Sequence, residues 1–270
     1  MPIPPSQTML CTQKLWPFFQ HALGAIDGTH IVCTPPAKEC GMYQSQKGFL
    51  SQNCLFVCSF DLTFVFGYTV WDGSATDSQV WEAALDCGFN IPDGHYYLAN
   101  VGYPEYPWLL LPYHGARYHL AEWNWASQKY VEDSVPGKIS ANIYINRPCT
   151  KEELFNLHHA SACNVIERIF GMLKQKFCIL HTMPEHSMSI QAHIPVALAA
   201  LHNFNHKYEE SKPDHEDHDP IGGGSGSGDG SGDGDGDGDG DGDEAVHNDD
   251  VDKPNAMQDQ IAEAMWTQYL

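Results

Sequence analysis

An α/β fold, in which a mixed sheet is flanked by helices and followed by a disordered acidic tail, is predicted by three features of this 270-residue sequence. Three segments rich in Val, Ile, Phe, Tyr and Thr follow one another between Leu23 and Trp71, as strands do. Two longer segments, 151–178 and 190–208, space their apolar residues at the helical period. From Gly222 to Asp243 glycine and aspartate alternate with no apolar residue to bury, so no core can form there.

Residues 23–34 read as the first strand, ended by Pro35 and Pro36. Residues 53–60 and 62–71 read as an antiparallel hairpin that turns at Asp61. Asp77 and Ser78 offer an N-cap for a helix over 79–85, which Cys87 and Gly88 end. A strand at 96–100 carries position 100 to its carboxyl end. If it lies beside the first strand, Asn100 and Asp27 become neighbours. From Leu109 to Trp125 the chain is aromatic and irregular, and 126–148 reads as an insertion. The helical pattern that opens at Lys151 carries Glu167, and the closing helix contains Pro195, expected to kink it or mark its first turn. Residues 209–258 form the Gly/Asp-rich acidic linker. Residues 259–270 recover an apolar stripe at Ile261, Met265, Trp266 and Tyr269, a short helix suited to docking on the domain or on a protein partner.

Of the net charge of −21, −17 falls from Glu209 onward, which leaves −4 on the preceding residues. Nucleic-acid affinity comes largely from phosphate neutralisation by Lys and Arg, so this balance disfavours autonomous DNA binding. Nine cysteines without framework spacing, and with no C-x-x-C pair, read as reduced, mostly buried thiols. The fifteen histidines read as scattered imidazoles. No run approaches the ~18 apolar residues of a membrane span, and the expectation is a soluble intracellular protein.

Two segments place a single carboxylate inside an otherwise apolar element: Gly24-Ala25-Ile26-Asp27-Gly28-Thr29-His30-Ile31 and Asn164-Val165-Ile166-Glu167-Arg168-Ile169-Phe170-Gly171. Isolated charges in core elements are costly unless paired or bound to a metal. A strand Asp and a helix Glu that converge on one point can hold a divalent metal for phosphodiester chemistry. Asp77 is read first as a helix cap and second as an auxiliary acid.

These blocks, with SQNCLFVCSFDLTFVFGYTVWDGSATDSQVW, YYLANVGYP, LFNLHHASACNVIERIFGMLKQKF and ALAALHNF in the same order, resemble the DDE nuclease domain of PIF/Harbinger-type transposases over about residues 16–208. The resemblance implies an RNase H-like fold, a Mg or Mn cofactor, DNA as substrate and nuclear residence. It also implies Asp27, position 100 and Glu167 as the metal-binding, catalytic residues. Position 100 departs from the pattern, because Asn100 stands where those domains carry the second Asp. A neutral amide in that place implies a weakened metal site and a divalent-metal-dependent DNA endonuclease with impaired catalysis. The alternative is a non-catalytic fold that serves as a protein-interaction module. Arginines usual on the Glu-bearing helix are replaced by His158, Cys163 and Gln175-Lys176, and the amino-terminal helical DNA-binding region is missing. DNA targeting would then depend on a partner that supplies such a domain.

Overall fold

A computed structural model provides the structure, described for residues 15–45, 48–118, 147–183, 185–210 and 256–270. One sheet contains β1 (Ala22–Val32), β2 (Ser51–Ser59), β3 (Phe64–Asp72), β4 (Tyr96–Leu98) and β5 (Leu109–Leu110), in the order β3-β2-β1-β4-β5. The first three strands pair antiparallel, whereas β4 joins β1 and β5 joins β4 in parallel. Helices α1 (Asp77–Asp86), α2 (Lys151–Lys176), α3 (Met188–Glu210) and α4 (Ala256–Tyr269) flank it. Parallel pairing of β4 requires a crossover from β3, and α1 lies within that crossover.

Each face of the sheet carries its own core, so the central strands are buried on both sides. Along β1, Ala25 and Ile31 face a core built with Phe56, Leu98 and the α2 residues Phe155, Ile166 and Ile169. Ile26 faces the other, with Leu55, Val57, Tyr97 and the α1 residue Trp81. This double burial is why the stretch 54–58 of β2 is continuously apolar rather than alternating. At Gly24 a Cβ would lie 1.8 Å from the Cys58 carbonyl oxygen, so close packing of β1 on β2 requires glycine there.

Three details differ from the sequence expectation. Thr76, not Asp77, caps α1: its Oγ1 accepts from the Gln79 amide (3.4 Å) while the Thr76 amide donates to Gln79 Oε1 (3.1 Å). Pro195 lies well inside α3, where it can give no N–H to the Gln191 carbonyl; the buried Gln52 Nε2 donates to that oxygen instead, at 3.1 Å. Thiol burial is the third, since among the described cysteines Cys33, Cys54, Cys58 and Cys163 are buried, whereas Cys87, Cys149 and Cys178 are exposed near helix ends; none forms a disulfide. The expected insertion and acidic linker lie, except at their ends, outside the described residues. No helix among the described residues is long and apolar enough to cross a membrane.

The expected C-terminal helix is α4, and it rests on the domain. Gln258 Nε2 donates to the Leu111 carbonyl (2.9 Å), the Tyr113 hydroxyl donates to Asp259 Oδ1 (2.6 Å), and Lys151 pairs with Glu263 (3.0 Å). Ala262 and Met265 are buried in the core shared with α2. Met265→Ala is therefore expected to destabilise the protein by about 2–5 kcal/mol, the usual range for a buried large-to-small change. Urea unfolding measures this, and an unchanged midpoint would show that α4 does not dock in solution.

Candidate active site

Asp27 lies midway along β1, half-buried, in the central position of the sheet. Its Oδ1 accepts from the Gly28 amide (2.9 Å) and from Asn100 Nδ2 (3.2 Å). Asn100 is two residues past the end of β4, the strand parallel to β1, and this pairing brings the two side chains together. Asn100 Oδ1 in turn accepts from the Gly102 amide at 2.9 Å, so the amide side chain also closes a local turn. The expected neighbourhood of Asp27 and Asn100 is present in the structure.

Glu167 projects from α2 on the side opposite its buried neighbours Val165, Ile166, Ile169 and Phe170, and is exposed. Among the described residues it has no hydrogen bond or ion pair, so pairing with Arg168 or Lys174 does not account for it. Its influence on Asp27 is electrostatic. Burial, first, and then the charges of Asp77 and Glu167 raise the Asp27 pKa well above its ordinary value of 3.8, while the Gly28 amide and Lys174 oppose the rise.

Asp77 is part of the same cluster. A Cβ on Gly28 would lie 2.3 Å from Asp77 Oδ1, so the glycine lets this carboxylate press against β1. Asn53 Nδ2 holds it, donating to Asp77 Oδ1 (3.0 Å) and to the Ala75 carbonyl (3.1 Å). The Ser78 hydroxyl donates to the Gly102 carbonyl at 2.8 Å and ties the start of α1 to the turn that carries Asn100. Beneath the site, His159 donates from Nε2 to the Leu110 carbonyl (2.8 Å), and burial lowers its pKa to about 4, leaving a neutral imidazole. Cys163, one turn before Glu167, is buried beside His159; burial first, and then the Asp27 and Glu167 charges, raise its pKa. The position at which the resemblance led us to expect a phosphate-gripping arginine is thus an interior one.

A family model described as DDE superfamily endonuclease matches residues 26–203. No curated protein and no solved structure matches the chain. DDE-family endonucleases generally use divalent metals, and the oxygens around Asp27 fit one such ion in part. Asp27 Oδ2 has no hydrogen-bond partner among the described residues, and carboxylate, amide and phenol oxygens are the hard donors that Mg²⁺ and Mn²⁺ prefer. They do not fit a pair of ions held by three carboxylates. Asn100 turns its NH₂ toward Asp27, and no three His, Cys, Asp or Glu side chains among the described residues converge to cage a metal.

The raised pKa has a sign that can be checked. The folded state holds the Asp27 proton more tightly than the unfolded state, so this stabilisation is complete below 3.8 and is lost as pH rises through the higher folded value. In chelator, Asp27→Asn is expected to melt above the wild type at neutral pH, with the gap closing on acidification. Each kcal/mol would appear as about 2–4 °C. A gap that does not change with pH would show that Asp27 is not charged against its neighbours.

Proposed function

The chain belongs to the DDE superfamily endonuclease family, and from that premise we propose that it is a transposase-derived nuclease of the PIF/Harbinger type in which Asn100 has impaired phosphodiester cleavage. The hydrogen bond from Asn100 to Asp27 carries this reading, because it places a neutral amide where the resemblance expects the second metal-binding acid. The sheet order, with Asp27 on the central strand and Asn100 just past its parallel neighbour, supports an RNase H-like arrangement.

Asp27 and Glu167 are the residues that would hold a divalent ion. Such an ion, when bound, supplies charge stabilisation for the attacking and leaving oxygens of an in-line displacement. Asp27 contributes an oxygen left open by its hydrogen bonds, and a bound cation would offset the Asp77 and Glu167 charges that oppose its ionisation. Asn100 contributes little, because its carbonyl oxygen is engaged by Gly102 and its NH₂ by Asp27. DNA is the proposed substrate, reached through a partner that supplies a DNA-binding domain, since the residues before Glu209 carry a net charge of −4. The nucleus is the corresponding place of action. The second reading, a protein-interaction module, draws no support from the face of the C-terminal helix that carries Ala262 and Met265, which the domain itself covers.

Asn100→Asp is the direct test. Aspartate can accept from the Gly102 amide as asparagine does, so the turn survives the change. Calorimetry is expected to show weak Mn²⁺ binding by the wild type and roughly 10–100-fold tighter binding by the variant, the scale on which a metal's immediate surroundings act. Nicking of DNA should be detectable only in the variant. Vigorous cleavage by the unmodified protein, abolished by Asp27→Ala, would overturn the impaired reading.

A further inference from the structure

Asp77 was first expected to act as a helix cap, but Thr76 performs that role. The structure instead turns the Asp77 carboxylate onto Gly28, beside Asp27. Two further oxygens mark the same place. Asn53, 1% exposed, uses both of its described donor bonds on Ala75 and Asp77, while its Oδ1 is buried without a partner and would lie 3.2 Å from a Cβ on Gly28. The Tyr103 hydroxyl, on a residue 3% exposed, is also buried without a partner, and Tyr103 closes the turn through Asn100, its amide donating to the Asn100 carbonyl at 3.4 Å. A buried polar oxygen without a partner is costly, and two beside one carboxylate pair indicate a ligand that the oxygens share.

We propose that Asp77 replaces the acid missing at position 100, so that a single divalent cation is held between Asp27 and Asp77, with Asn53 Oδ1 and the Tyr103 hydroxyl completing its oxygen surroundings. The inference rests on the nuclease reading above but gives the place of Glu167 beside Asp27 to a carboxylate from the start of α1. It also explains the asymmetry of the site. Gly28 lets Asp77 Oδ1 press against β1 next to Asp27, so the carboxylate pair on the sheet is Asp27 with Asp77. Glu167, exposed on α2, is left free to meet a ligand from the solvent side.

A double-mutant cycle on the full chain, with Mn²⁺ as the probe and its free-ion EPR signal as the readout, tests this. The wild type is expected to bind one Mn²⁺, and Asp77→Asn to weaken binding at least about tenfold, the lower end of what changes around a metal site produce. The same substitution in an Asn100→Asp background is expected to cost clearly less, because the acid at 100 then supplies the charge. A purely structural Asp77 would cost the same in both backgrounds, which would overturn the inference. Binding by Asn100→Asp alone, or wild-type binding that Asp77→Asn leaves unchanged, would also overturn it, and would leave the nuclease reading intact. Absence of Mn²⁺ binding in the wild type and in Asn100→Asp alike would overturn both. Melting in chelator monitors folding. If Asp77→Asn fails to fold, Gly28→Ala takes its place, because its Cβ would force the Asp77 carboxylate aside without removing a charge. Unchanged Mn²⁺ affinity in Gly28→Ala would count against the inference.

Discussion

One carboxylate in the middle of the central strand sets the terms for the surrounding structure. Asp27 sits in a strand with a core on each face, where an ionised group is expensive. What offsets the cost is local: one backbone amide, one asparagine NH₂, and the more distant Lys174. What adds to it is also local, since Asp77 and Glu167 bring two further negative charges toward the same atoms. A strand with this much unfavourable electrostatics is tolerated because the surrounding sheet is rigidly held. Gly24 packs directly on the β2 backbone, and Asn203 pairs with both the amide and the carbonyl of Phe64 (2.8 and 2.7 Å), fastening the β3 edge to α3.

Elements whose determinants are local were legible in the sequence. The β2–β3 hairpin is a pair of β-rich runs with a turn between them, and α2 is a long periodic segment opened by Thr150, so both were placed within a few residues. The nearness of Asp27 and Asn100 was legible too, because it needs only one parallel pairing. Elements that depend on distant partners were not. Strand β5 is only Leu109–Leu110, and exists because β4 offers it an edge; nothing in its aromatic surroundings signals a strand. Asp77 has the composition of a cap, and only Asn53, 24 residues away, redirects it toward β1. Tyr103 and Cys163 join the site for the same kind of reason. Tertiary packing, which no local pattern announces, buries both side chains.

The tail and the domain divide the chain's acidity by purpose. Most of the negative charge falls from Glu209 onward. Among the described residues Asp77 lies against β1 beside Asp27, and the Glu167 charge also reaches Asp27, against the general tendency of like charges to separate. Gathering of that kind is the mark of a functional site rather than of stability. Yet the residues before Glu209 carry a net charge of −4 and lack the cationic surplus with which DNA enzymes hold phosphates, so the proposed function calls for nucleic-acid recognition by a partner.

Asparagine at position 100 follows from the same electrostatics. An aspartate there would face Asp27 with a lone pair instead of an N–H, and would add a third negative neighbour to a carboxylate already pushed toward protonation. Without a bound cation that arrangement would strain the sheet at its centre; with one, it would tighten the grip on the metal. The asparagine keeps the turn through Gly102 and replaces repulsion with a hydrogen bond, so it favours the empty fold at the expense of the loaded site. Stability and catalysis make opposite demands on this one side chain.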